Sequence, residues 1–391
     1  MALFDIEEYQ ERVRKTKVSM AEKGIDVLVV SDPANMNYLT GYDGWSFYVP
    51  QVVVLSLDDE APVWVGRGMD ANGARHTTYL SDDRIVGYAD DFVQTPLKHP
   101  MQVVADEIKR RGWGSKTIGT EMDAYYFSAK SFVELQKNLP DAKFDDANLL
   151  VSWVRIIKSA GEIEFMQKAG KIVERVMQKA IDTVAPGVRE CDAVAEIYRT
   201  QIRGTDTFGG DYTALVPMMP SGDKTSTPHL TWTDEPYQNE IAVNMELAAC
   251  HNRYHSPLAR TMYLGKNPPG KLVDTSKVVV EGCNEALDAI KPGVKCEEIE
   301  LVWRRVIARA GLEKESRIGY SMGLNYPPDW GEHTASLRPG DKTVLEPNMT
   351  FHMILGMWMD DWGFECSESF RVTDEGHETF ADFPRQLFIK E

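Results

Sequence analysis

The chain has 391 residues, 43% of them hydrophobic, and a formal net charge of −17 from 60 acidic and 43 basic side chains. That length supports two domains with substantial cores, and the acidity argues against nucleic acid or an anionic membrane as partner, because such binders gather basic patches. No apolar run is long enough to span a bilayer, and MALFDIEEYQERVRKTK lacks the apolar core of a signal peptide, so a cytoplasmic address is expected.

In chain order, the spacing predicts a helix from Ile6 to Lys23, then strands in DVLVVS, VVVLSL, PVWVG and RIVGYA. A helix near Met101–Arg111, a strand TIGTE and a helix SAKSFVELQKNL follow, which together read as an α/β domain. VSWVRIIKSAGEIEFMQKAGKIVERVMQKAIDTVAPGV then begins as a strand-to-helix connection and continues as a long amphipathic helix, so the domains are placed at 1–155 and 156–391. The second domain contains an echo: Ala180–Ile202 and Ala286–Ile307 share a helix, an xPGV turn and a second helix, offset by about 106 residues, far beyond a solenoid period. Two such copies, each with strands, imply a pseudo-symmetric α+β domain with helices on a curved antiparallel sheet and a pocket between its halves.

NMELAACHNRYHSPLARTMYLG (244–265) holds Glu246, His251 and His255 in a stretch that alternates as two strands. With the turn at His251-Asn252, Cys250 pairs with Arg253, Glu246 opposes Pro257, His255 shares the face of Glu246, and His251 is solvated. One carboxylate and one imidazole make too few ligands for a self-contained metal centre. The five cysteines, widely spaced and without a CxxC pair, read as free thiols.

RIIKSAGEIEFMQKA, the paired xPGV helices, PSGDKTSTPH, YHSPLARTMYLG, RIGYSMGLN and TVLEPNMTFHMILG together resemble the creatinase / aminopeptidase P / prolidase group, and the match covers nearly the whole chain. The resemblance implies an α/β creatinase-like N-terminal domain, an α+β pita-bread C-terminal domain with a pseudo-two-fold repeat, and a homodimer whose active site borrows residues from the partner's N-terminal domain. The group's metallopeptidases hold two metals through two aspartates, a histidine and two glutamates, whose positions fall here on Glu246, Pro257, Tyr320, Ile354 and Ser367. Proline and isoleucine offer a metal no lone pair, so no metal and no cofactor are expected.

Two kinds of metal-independent enzyme remain within the group. His229 corresponds to the catalytic histidine of creatinases, but their two substrate-binding glutamates are Ala259 and Cys366 here. LTGYDGWSFYVPQ, Glu246 and SLRPGDKTVLEPNM resemble instead the ectoine hydrolases, which open a zwitterionic cyclic amidine to N-acetyl-2,4-diaminobutyrate, a product suited to a downstream deacetylase. On that resemblance Glu246 is the nucleophile or the general base for water, and His229 the proton shuttle. Glu368 pairs with the amidinium or orients His229, with Glu365 as a less well-placed substitute. Arg338 matches an arginine that creatinases use on a substrate carboxylate. Trp45, Phe47 and Tyr48 close over the cation from the partner subunit, while Tyr320 and His255 complete the substrate-binding set. The alternatives are hydrolysis of another amidine or guanidine, as in a creatinase-like amidinohydrolase, and a catalytically inactive binding protein of the same fold.

Overall fold

The computed structural model describes residues 2–391 and divides into two compact units, the first ending at Arg155 and the second spanning Ile156–Glu391.

The first unit runs α1 (Ile6–Glu22), β1 (Val27–Val30), α2 (Pro33–Thr40), β2 (Val52–Ser56), β3 (Val63–Arg67), α3 (Ala71–Thr77), β4 (Ile85–Tyr88), α4 (Pro100–Arg110), β5 (Thr117–Thr120), α5 (Ala129–Asn138), β6 (Lys143–Asp146) and α6 (Leu150–Val154). The strands form one mixed sheet in the order β4-β3-β2-β1-β5-β6. Helix α2 has weak apolar periodicity, and end signals define it instead. Asp32 accepts from the Asn35 N–H at its start, Pro33 opens the first turn, and Gly41 ends it at φ 83°. The expected strand at VSWVR is instead the short helix α6, with Leu150, Val151 and Ser152 buried.

The second unit begins with α7 (Ala160–Thr183), which starts on a capping box between Ser159 and Glu162. It continues through α8 (Glu190–Arg203), β7 (Ile241–His251), β8 (Tyr254–Leu264), α9 (Gly270–Asp288), α10 (Cys296–Arg309), β9 (Gly319–Met322), β10 (Gly331–Leu337), β11 (Thr350–Trp358), β12 (Gly363–Val372), β13 (His377–Thr379) and β14 (Phe388–Lys390). The two helix pairs are the echo read from the sequence. In both xPGV turns the glycine, Gly187 or Gly293, takes a left-handed φ of 84° or 88° with open space around it.

The sheet is divided. A five-stranded sheet, β10-β9-β11-β12-β13, and a three-stranded one, β14-β8-β7, meet along β8 and β12. Side chains close this seam: Ser369 donates to the Pro257 carbonyl (2.6 Å), the Ala259 N–H donates to Ser367 Oγ (2.7 Å), and the Glu365 N–H donates to Thr261 Oγ1 (2.9 Å). Because the Ala259 N–H points into the seam, so does the nitrogen of Pro257 two residues earlier. A proline is tolerated there because no backbone ladder asks it for a donor.

Alternation then assigns the two faces. Val243, Met245, Leu247 and Leu258 pack with α7 and α8, while Met353, Leu355, Phe364, Cys366 and Phe370 pack with α9 and α10. Glu246, Ala259, Ile354, Glu365 and Ser367 fall on the opposite face.

Candidate active site

The β7–β8 hairpin turns at Asn252-Arg253, both at positive φ (52° and 69°), so His251 pairs with Tyr254 and Cys250 with His255. The turn therefore lies one residue later than the sequence reading places it, and Glu246 opposes Ala259 instead of Pro257. A shift of two in the partner preserves face, so His255 stays on the side of Glu246. His251 ends β7, with Nδ1 2.9 Å from the Gly209 carbonyl and its ring against Phe165 and Phe208.

Glu246 is 7% exposed, and its backbone is clamped by reciprocal 3.0 Å hydrogen bonds with Met218. Among the described residues no hydrogen bond or ion pair satisfies its carboxylate. Burial and the Asp329 charge push its pKa up to about 7. Glu365, 2% exposed, faces it from β12 and is also without a side-chain partner. Burial and the Glu246 charge hold Glu365 well above the carboxylate range, with Lys314 opposing. Two buried, unpaired carboxylates on one face are expensive, and proteins keep such groups where a cation or a reaction uses them.

Around them stands a ring of polar groups. Tyr320 Oη accepts from Trp330 Nε1–H (2.7 Å) and lies 3.0 Å from His352 Nδ1, while His352 Nε2 is 2.8 Å from Ser367 Oγ. Burial, aided by the Arg317 charge, depresses the His352 pKa to about 3, so the ring is neutral. Burial, with the Glu246 charge, holds the Tyr320 phenol well above its ordinary value. Burial pushes the Asp329 pKa up, but His333 at 2.7 Å, the Gly331 N–H and Arg317 outweigh it, so Asp329 is a carboxylate. The Arg317 guanidinium lies 4.5 Å from the Tyr320 ring centre and donates to Ser336 Oγ at 3.1 Å.

The structure relocates several residues chosen from the sequence. Glu368 projects to the helix side, where Arg260 (2.6 Å) and Arg385 (3.0 Å) neutralise it. It neither meets the cluster nor orients His229, and the β12 glutamate on the Glu246 face is Glu365. His255 is wholly buried, its Nε2 accepting from the Ala214 N–H (2.9 Å) and its Nδ1 3.4 Å from the Gly323 carbonyl, so neither nitrogen is left for a substrate. Arg338 is exposed beyond the end of β10, and the cations acting on the cluster are Arg317, beside Tyr320, and Lys314, which acts on Glu365. His229 is exposed on a loop, and no hydrogen bond, ion pair or ring contact joins it to Glu246. In the first unit, Trp45 (58% exposed) packs on Phe47 at 4.7 Å, and Tyr48 (62% exposed) accepts from Arg67 at 3.4 Å.

Residues 164–374 match Metallopeptidase family M24, and residues 12–157 match the Creatinase/Prolidase N-terminal domain. The chain belongs to the M24 family. It is 48% identical to the ectoine hydrolase of Halomonas elongata across 99% of this chain and 98% of that protein. It is 46% identical to the uncharacterized hydrolase/peptidase y4tM of Sinorhizobium fredii across 99% of both. The prolidase of Thermococcus sibiricus shares the fold, with TM-score 0.84 and 19% identity over 97% of this chain and 99% of that one. The chain is thus a hydrolase on a creatinase N-terminal and pita-bread C-terminal architecture.

M24 membership implies a metal centre, and these residues do not fit one. Among the described residues no group of three or more His, Cys, Asp or Glu side chains is arranged to hold a metal ion. Of the positions that the resemblance assigns to metal, Glu246 alone carries a carboxylate; Ser367 and Tyr320 are committed to the hydrogen-bonded ring around His352. Glu365 shares its face with Ser367 and was findable from alternation along the strand. Arg317 and Asp329 carry no comparable sequence signal.

Proposed function

We propose that this protein opens the ring of ectoine, a cyclic amidinium that also carries a carboxylate, without a metal ion. The observation that carries the proposal is the pair of buried, unpaired carboxylates, Glu246 and Glu365, on a face where metal ligands have become Pro257, Ile354 and Ser367. The likeness to the ectoine hydrolase of Halomonas elongata supports the substrate.

An amidinium entering this cluster exchanges its water for charge-assisted hydrogen bonds, and its positive charge favours the ionised form of Glu246. Ionised Glu246 then attacks the amidine carbon, or takes a proton from a water that does; both roles require the same placement. Where Glu246 is the base, the proton it took from water passes to the ring nitrogen as its bond to carbon breaks, and the amide N-acetyl-2,4-diaminobutyrate is complete. Where it is the nucleophile, the leaving nitrogen takes up a proton and one water then hydrolyses the adduct to the same product, releasing a proton and the carboxylate. Arg317 is the guanidinium available to the substrate carboxylate. Trp45, Phe47 and Tyr48 close over the cation from the partner chain of a homodimer, which works in the cytoplasm upstream of a deacetylase.

The test is a substrate panel: ectoine, creatine, acetamidine and an Xaa-Pro dipeptide, each followed by proton NMR. Turnover confined to ectoine supports the reading. Cleavage of the dipeptide or of creatine with ectoine untouched overturns it, and turnover of none identifies a binding protein of this fold.

A further inference from the structure

The hydrogens of the Tyr320–His352–Ser367 chain can be counted. Tyr320 Oη is already an acceptor from Trp330 Nε1–H at 2.7 Å, and Ser367 Oγ is already an acceptor from the Ala259 N–H at 2.7 Å. Between them His352, wholly buried, makes contacts of 3.0 Å to Tyr320 and 2.8 Å to Ser367. A neutral imidazole carries one N–H, and each hydroxyl carries one hydrogen. Two links use two of these three hydrogens, so one hydroxyl hydrogen is left over. It belongs to Tyr320 when Nδ1 is protonated, and to Ser367 when Nε2 is protonated. The two hydroxyls stand on different strands, β9 and β12, and Ser367 shares its face with Glu365.

We propose that His352 is a positioning residue whose tautomer decides which side of the site offers a hydroxyl donor, and that the Nδ1–H form turns Tyr320 into the donor to the departing ring nitrogen. In the resting site the spare hydrogen can go to either side. A bound amidinium, with donors of its own for the carboxylates, favours the tautomer whose hydroxyl faces an acceptor. In the ring-opening step the amidine carbon becomes tetrahedral and the nitrogen about to leave becomes an acceptor. Tyr320 then meets it with a hydrogen bond that strengthens as the C–N bond breaks. The resemblance assigns a metal-binding histidine to position 320 and the last metal ligand to position 367; in this chain Tyr320 and Ser367 are the two ends of one switch.

The inference rests on the proposed ring opening, and its test separates the two. Histidine-labelled protein is studied by nitrogen NMR with and without acetamidinium, a cation that needs no turnover. The expected result is a neutral His352 in which the added cation shifts the balance between the two protonated nitrogens. An imidazolium, or a tautomer balance that the cation leaves unchanged, overturns the proposal whether or not ectoine is a substrate. Kinetics supply the second reading. Tyr320→Phe keeps the ring and the packing of Trp330 but removes the hydroxyl, and is expected to lower kcat on the order of 100-fold with KM changed by less than about threefold. An unchanged kcat for Tyr320→Phe, in protein that still opens ectoine, also overturns it. Failure of every variant and of the wild type on ectoine, with the expected NMR result retained, counts against the substrate and leaves the tautomer switch standing.

Discussion

Glu365 and Glu368 lie three residues apart on β12, and they have opposite fates. Glu368 projects toward the helices, where two arginines take up its charge. Glu365 projects the other way, buried to the same degree and given no partner, beside Glu246. The first is how a protein uses a buried carboxylate for structure; the second is how it reserves one for a ligand. Burial alone does not distinguish them. The difference lies in whether the protein has supplied a counter-charge in direct contact: Arg260 and Arg385 touch Glu368, whereas Lys314 acts on Glu365 only through space.

Substitutions at these glutamates sharpen the contrast, and the largest effect is expected on Glu246. Glu246→Gln should reduce turnover on the order of 10⁴-fold, measured under substrate saturation. The same change should stabilise the protein at alkaline pH. Because the folded pKa is raised to about 7, ionisation in the folded state costs stability as pH rises above the unfolded value and costs it fully above about 7. Denaturant unfolding at pH 8 should therefore show Glu246→Gln more stable by about 2–3 kcal/mol, and little different from wild type at pH 4. Glu368→Gln should do the reverse, losing about 3 kcal/mol of stability by leaving Arg260 poorly matched, with kcat close to wild type at temperatures where it is folded.

A smaller effect isolates the electrostatics. Catalysis needs Glu246 ionised, so kcat/KM for wild type should fall as pH drops through about 7. The Asp329 charge contributes to that high value, so Asp329→Asn should move the acid limb to lower pH by a fraction of a unit. A limb that stays put, or moves upward, would show that Asp329 does not act on Glu246. Smallest of all, Arg338→Ala should leave KM unchanged, whereas Arg317→Ala should raise it about tenfold by removing the guanidinium beside Tyr320.

How much of this was legible in the sequence varies with the reach of the signal. The xPGV echo exposed the pseudo-symmetric second unit because each copy repeats a local rule: helix, left-handed glycine, helix. That Pro257 and Ile354, which the resemblance puts at metal-ligand positions, have no lone pair to offer a metal was equally plain. The face of Glu246 and His255 was legible, with the cross-strand partner misread by two because a two-residue turn with Asn252 and Arg253 both left-handed lacks the usual glycine. The choice of Glu368 over Glu365 was avoidable. Ser367 occupies a site-facing position, so its neighbour Glu368 must face away and Glu365 must face in. Arg317, Asp329 and His352 were not legible, because their roles arise where strands far apart in sequence are brought together. The seam between β8 and β12 is of the same kind: hydroxyls replace a backbone ladder there, and no local pattern announces it.

The central claim is that the Glu246 carboxylate, acting without a metal ion, carries out the reaction. The most direct measurement follows ectoine by proton NMR with chelator-treated wild-type protein and with Glu246→Gln. The account predicts undiminished ring opening by the first and none by the second. Activity that disappears on chelation and returns with a divalent metal, or that survives Glu246→Gln, would contradict it.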